Sequence, residues 1–357
     1  MDKFNCLTTA IGSLPHKDIE KACQMVLNNL PEVPIWPQLP QRSFKENMYI
    51  QYSENLPCVI CDEENKRIFF DTSKDVELQL EKFYQKYLDK DIDYFKISED
   101  YSAGFYAMLR YWRQIFHPLS SISGGQPKFI KGHITGPISF GLTITDENKK
   151  AIIYHKQLFD TVVKGLAMKA LWQSSKFKDL NLPTIIFIDE PYLSTFGSAY
   201  VNLSREEVIM PLNEVIETIK EWGQTLTPPL VGIHCCGNTD WSLLMETKVD
   251  IINFDAYGFI SNFALYPKEL DKFLNRGGML AWGIVPSSNE VVNENAKTLL
   301  KKFDKGIELL VSKSIQKELL LKNLFITPSC GTGSLSEDIA ERVFKLALEL
   351  TNQIKEE

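Results

Sequence analysis

The sequence is short of several familiar signals. No apolar run approaches the roughly 20 residues that a membrane-spanning helix needs. Met1-Asp2-Lys3-Phe4-Asn5 lacks a signal-peptide core. No block of like charge extends beyond a few residues, and the net charge is −7. Electrostatic binding to nucleic acid is therefore not expected. Arginine is scarce, with seven in 357 residues. No G-x-G-x-x-G follows the first candidate strand and no P-loop pattern occurs, which argues against nucleotide-phosphate cradles of those kinds. Seven cysteines in so long a chain, an odd count with two adjacent, do not resemble a disulfide framework. A reducing cytoplasm is the simplest location, and it keeps thiols available to metal.

What remains is globular in character. Apolar residues make up 44% and charged residues 24%, enough for a substantial core. No linker, repeat or low-complexity segment divides the chain, so a single domain over residues 1–357 is expected. The Lys-rich segment Lys297 to Lys322 alternates charge with Leu, Ile and Val at helical spacing, and reads as a solvated helix face.

Eight candidate strands alternate with helical patterns. They centre on Thr8–Ile11, Tyr94–Ser98, Lys128–Ile134, Thr184–Ile188, Leu230–Ile233, Asp250–Phe254, Met279–Ile284 and Leu324–Pro328. Helices are predicted from Asp18, a candidate N-cap, to Leu30, then over 75–90, Ala103–Phe116, about 148–179, about 204–224 and about 336–354. Residues 31–57, rich in proline and aromatics, read as a long irregular loop able to cover a site. Cys58 to Phe70 reads as a hairpin around Glu63-Glu64-Asn65-Lys66. Unalternating apolar strands suggest burial on both faces, as in parallel sheets. Eight strands with intervening helices predict a closed (β/α)₈ TIM barrel with an N-terminal loop and hairpin excursion. An open doubly wound sheet is the alternative.

Polar residues gather where these strands end: Ser13, Glu99 and Asp100, Thr135, Asp189 and Glu190, His234 and Cys236, Asp255, Ser287, Cys330. In a barrel those ends converge on one face. The run Gly232-Ile233-His234-Cys235-Cys236-Gly237-Asn238-Thr239 is the most distinctive. Side chains on a strand alternate, so His234 and Cys236 share a face and Cys235 points away. Catalytic zinc takes three protein ligands and leaves one position open. His234, Cys236 and Cys330 are the predicted set, with Asp255 a fourth ligand or an outer partner.

Other motifs have plainer readings. Cys58-x-x-Cys61 has no second CxxC and sits in a hairpin, so it is read as packing. Cys6 and Cys23 read as core. His117, before Pro118, reads as a helix-end residue, and His155 is placed on an amphipathic helix without a role. His16 and His133 fall near the predicted mouth, within reach of a substrate, and a satisfied polar residue is the favoured reading for each over a substrate contact. Asp189-Glu190 suits the binding of a substrate ammonium. Gly331-Thr332-Gly333-Ser334 suits either an anion cradle near the last helix or a turn with an N-cap.

Together, Ile11-Gly12-Ser13, Thr135-Gly136-Pro137, Ile188-Asp189-Glu190-Pro191, His234-x-Cys236 and Pro328-Ser329-Cys330-Gly331 occur in the order found in the catalytic domain of cobalamin-independent methionine synthase. The chain resembles that family over nearly its whole length. It also resembles the corrinoid-dependent methyltransferases of the uroporphyrinogen decarboxylase superfamily, where His-x-Cys-Gly-Asn is common. The resemblance implies a zinc barrel that methylates a thiol. His234, Cys236 and Cys330 match the family's zinc ligands, and Asp255 stands where the synthases have a longer glutamate. Ile11, Gly12 and Ser13 match the segment that receives the homocysteine carboxylate. Asp189 matches the residue that receives its amine, with Glu99 or Asp100 as a further amine contact.

Two departures bear on the methyl donor. The chain is too short to include the additional N-terminal barrel that helps bind folate. Gly283-Ile284-Val285-Pro286 also stands where the synthases place a histidine general acid. Methyl transfer from folate nitrogen needs a proton for the departing amine, whereas methylcobalamin releases cob(I)alamin without one. The expected donor is therefore methylcobalamin, free or on a corrinoid protein, and the expected acceptor is homocysteine. Rival readings are transfer to coenzyme M or another thiol, decarboxylation of a tetrapyrrole, and a non-catalytic zinc or corrinoid carrier.

Overall fold

β-Branched, fully apolar runs such as Thr184-Ile185-Ile186-Phe187-Ile188 favour strands buried on both faces, and they form the centre of the molecule. The computed structural model describes residues 6–73, 75–115, 127–198, 201–223, 228–322 and 324–356. His117, the C-terminal residue of the predicted 103–116 helix and Met1–Asn5 lie outside these residues. The strands are β1 (Leu7–Thr8), β2 (Val59–Asp62), β3 (Arg67–Phe70), β4 (Ile130–Thr135), β5 (Thr184–Asp189), β6 (Leu230–Cys235), β7 (Ile251–Phe254), β8 (Met279–Val285) and β9 (Leu324–Pro328). β2 and β3 form the predicted antiparallel hairpin. The other seven make one parallel sheet in the order β1-β9-β8-β7-β6-β5-β4.

The helices are α1 (Ile19–Asn29), α2 (Val76–Leu88), α3 (Ala103–Ile115), α4 (Pro137–Thr143), α5 (Lys156–Phe177), α6 (Arg205–Trp222), α7 (Trp241–Glu246), α8 (Ala256–Phe263), α9 (Pro267–Asn275), α10 (Ala296–Ser312), α11 (Lys317–Lys322) and α12 (Glu337–Glu356). Asp18 caps α1 as expected, accepting from the backbone N–H groups of Glu20 and Lys21. None of the described helices is long and apolar enough to cross a membrane.

Several sequence expectations need correction. Among the described residues the sheet has seven strands, not eight, and is not a closed eight-stranded barrel, although its curl is compatible with a TIM-like fold. Tyr94–Ser98 is not a strand. Ile92–Phe95 is a 3₁₀ turn, capped by Asp91 through the Tyr94 N–H, with Phe95 buried against Phe83. The space between edge strands β1 and β4 is instead bridged by residues 33–38, part of the predicted irregular loop. Lys131 N donates to Pro34 O at 3.0 Å, Gln38 N donates to Gly12 O at 2.9 Å, and Leu14 N donates to Gln38 O at 2.8 Å. Pro34 and Pro37 have no N–H, so these contacts stay isolated bridges and do not extend into a ladder.

The predicted 148–179 helix also starts later, at Lys156. Asp146 accepts from the N–H groups of Asn148 and Lys150, holding a turn there. His155 is therefore not inside a helix. It caps α5, with Nε2 2.9 Å from Asp146 Oδ2.

Inside the curl, Leu7, Val33, Ile185, Phe187, Ile251, Ala281 and Phe325 form a buried apolar cluster. Full burial of each large apolar side chain contributes about 1.5–3 kcal/mol. The outer face packs against the helices in the main core. This arrangement leaves the C-terminal ends of the parallel strands facing one way, where the polar residues gather.

Candidate metal centre

β6 delivers the predicted histidine and thiol. His234 is 3% exposed and Cys236 follows on the same side. Cys235 points into the main core, as strand alternation requires. Cys330 arrives in the turn after β9. There Ser287 clamps it: Ser287 Oγ donates to Cys330 O at 2.7 Å, and Cys330 N donates to Ser287 Oγ at 3.1 Å. One ligand atom from each of His234, Cys236 and Cys330 lies within 4.8 Å of the others. No other His/Cys/Asp/Glu group of this kind occurs among the described residues.

The donor atoms are chemically ready for a cation. His234 Nδ1 is 2.5 Å from Asn253 Oδ1, while Nε2 is buried with no nitrogen or oxygen partner among the described residues and has the Cys236 thiol as its neighbour. The hydrogen bond from Cys330 lowers the Cys236 pKa well below the ordinary thiol range, with His234 assisting and burial opposing. The same contact, together with burial, raises the Cys330 pKa. The shared hydrogen bond thus pushes the acidities of the two thiols in opposite directions. A nitrogen and two sulfurs around a common point form a candidate metal site.

Asp255 does not join that cluster. Its Oδ1 accepts from Gly258 N at 2.8 Å and caps α8. Burial raises its carboxyl to about 6, opposed by the Gly258 hydrogen bond. The shorter side chain stays with its helix.

A cavity of about 390 Å³ opens beside these three side chains, within the range of small-molecule sites. Ile11, Ser13 and Asp189 line it. Gly12 does not, and it lies where any Cβ would strike the His133 ring. His133 is buried below, stacked on Trp36 at 3.9 Å. His16 is also buried and is not a lining residue. Gly331 and Gly333 complete the wall, packed so closely on Ser13 that a Cβ at Gly331 would lie 2.1 Å from Ser13 Oγ. Thr332 N donates to Ser13 O at 2.9 Å, so the two ends of the chain meet here. Asp100 is not brought to the cavity. Its side chain is 80% exposed, 3.9 Å from Lys45 Nζ, and Glu99 faces Arg110 on the surface.

Asp189 and Glu190 separate. Asp189 Oδ1 is buried without a partner among the described residues and lies beside His234 in the strand register. Glu190 turns the other way and accepts from Ile138 N, Ser139 N and Ser139 Oγ at the start of α4. This packing explains Thr135-Gly136-Pro137: a Cβ at Gly136 would lie 2.1 Å from the Glu190 carboxylate.

Sequence reasoning missed Gln38, Gln41, Asn47 and Met48, which bring the 31–57 segment to the cavity wall. Gln41 Nε2 donates to Gly333 O at 2.8 Å and ties this wall to the β9 turn. It also missed Asn253, although an amide in an otherwise apolar strand is a usable signal. Cys58 and Cys61 remain in the hairpin and Cys6 and Cys23 are buried, with all seven thiols free. Comparison of the chain with known protein families and with curated proteins finds no match.

Proposed function

We propose that this protein is a zinc-dependent methyltransferase that methylates a thiol, with homocysteine as acceptor and methylcobalamin or a methylated corrinoid protein as donor. The observation that carries the reading is the meeting of His234, Cys236 and Cys330 beside a cavity. One nitrogen and two sulfur donors suit zinc and leave a coordination position for a substrate. When bound, zinc supplies the charge that turns an entering thiol into a thiolate at neutral pH.

The protein's own groups then bind and orient. Asp189 is the one acid lining the cavity, and no lysine or arginine lines it among the described residues. That charge pattern favours a substrate with an ammonium group. It disfavours the sulfonate of coenzyme M and the many carboxylates of a tetrapyrrole. Ser13 and the Gly331–Ser334 turn offer polar contacts for the remainder of an amino acid. In the transfer itself a carbon–sulfur bond forms as the donor's carbon–cobalt bond breaks. The bonding pair stays with cobalt and the thiol proton passes to solvent, so no acid is required where Gly283-Ile284-Val285-Pro286 lacks a histidine. The order of the motifs, shared with the methionine synthase catalytic domain, supports the same assignment.

The test is a methyl-transfer assay with methylcobalamin and a panel of thiols. Homocysteine should be methylated faster than coenzyme M, and Cys236→Ser and Cys330→Ser should each abolish turnover in folded protein. Full activity in both variants would refute the assignment.

A further inference from the structure

Asn253 lies on β7, fully buried, between His234 on one side and Ala281 on the other in the strand register. Its amide makes three contacts. Nδ2 donates to Ala281 O at 2.8 Å and to Thr327 Oγ1 at 2.8 Å, and Oδ1 faces His234 Nδ1. A backbone carbonyl can only accept, so the amide group beside Ala281 O must be the NH₂. The amide oxygen is then left facing the imidazole. An oxygen acceptor at that position requires a hydrogen on Nδ1. In the neutral ring the lone pair must then sit on Nε2, the buried atom on the Cys236 side of the ring, which has no nitrogen or oxygen partner among the described residues.

We propose that Asn253 is a positioning residue for the metal centre: anchored by the Ala281 carbonyl and Thr327, it fixes the His234 ring and presents Nε2 to the ion. The inference rests on the metal reading above and adds the group that sets the ligand's tautomer. Backbone geometry takes part in the device, because the Ala281 carbonyl cannot change its role under mutation as a side chain can. Outer hydrogen bonds of this kind typically change metal affinity about 10- to 100-fold.

The experiment measures zinc affinity by chelator competition in native protein, Asn253→Leu and Asn253→Asp, with the thermal midpoint of each metal-free protein as a folding control. Asn253→Leu removes the acceptor and should weaken zinc about 10- to 100-fold. Asn253→Asp keeps an acceptor for His234 but loses the NH₂ that donates to Ala281 O, so its affinity should fall between that of Asn253→Leu and native. A merely structural asparagine would move the midpoint without this pattern of loss and rescue. A folded Asn253→Leu protein that binds zinc as tightly as native overturns the proposal. So does an Asn253→Asp protein that is folded but no better than Asn253→Leu. Long-range ¹H–¹⁵N spectra of the metal-free native protein, at a pH where the ring is neutral, give a readout independent of zinc. They should show His234 as the Nδ1–H form, and an Nε2–H form overturns the proposal. Native protein that shows Nδ1–H but takes up no zinc would instead refute the metal reading, so the two failures are distinguishable.

Discussion

Both carboxylate oxygens of Glu190 accept hydrogen bonds from the first turn of α4, whereas Asp189 keeps an oxygen without a partner, among the described residues, at the cavity. Burial raises the Glu190 carboxyl to about 7 despite the Ser139 and Ile138 donors. Its work is to hold α4 on the sheet end. In the proposed function Asp189, which lines the cavity, is the residue that meets the substrate. Asp189→Asn is expected to raise KM for homocysteine roughly 10- to 150-fold, the equivalent of a charge-assisted hydrogen bond of about 1.5–3 kcal/mol. KM for a thiol lacking the amine should change little, and steady-state kinetics with the two acceptors checks this. An equal effect on both would remove Asp189 from amine recognition. At this scale strand alternation made the direction of His234, Cys235 and Cys236 legible in sequence. The different roles of Asp189 and Glu190 were not, because they depend on where α4 begins. Asp100 was misplaced for a related reason: Tyr94–Ser98 has strand-like composition, but Tyr94 and Phe95 close the 3₁₀ turn Ile92–Phe95 and the rest forms no strand, so the polar residues after it mark no strand end.

The segment over residues 33–38 is an element that sequence patterning hides. Prolines suppress its hydrogen-bond ladder, yet Val33 fills the inner core and Trp36 is fully buried, with Nε1 donating to Gln173 Oε1 at 2.8 Å. Beyond it, the cavity-lining loop is anchored by Glu46, wholly buried and paired with Arg42. Burial outweighs the guanidinium and raises the Glu46 carboxyl to about 7, above its ordinary value of 4.5. The folded protein therefore binds this proton more tightly than the unfolded chain. The resulting stabilisation is fully present below about pH 4.5 and is lost as pH rises through about 7. Replacing Glu46 with glutamine removes the titration. The fall in urea midpoint between pH 5 and pH 8 should be smaller in Glu46→Gln than in native protein. An unchanged difference would mean that Glu46 does not titrate in that window. The hairpin and most long helices were legible from periodicity and caps. The late start of α5 was not, because the Asp146 turn competes with helix over the preceding residues.

Across the whole molecule, one topological rule does most of the assembly. Parallel strands return in the same direction, so residues at their C-terminal ends meet however far apart they are in sequence. That rule made the meeting of His234, Cys236 and Cys330 legible. It did not reveal that the sheet has seven strands with residues 33–38 bridging its edges, because proline-rich backbone carries no strand pattern. The central claim is that these three side chains hold one zinc ion, and metal analysis of the purified protein tests it most directly. The account predicts about one zinc per chain, reduced in folded Cys236→Ser and Cys330→Ser proteins. Native protein without zinc, unable to take it up when supplied, would contradict it, as would undiminished zinc in both variants.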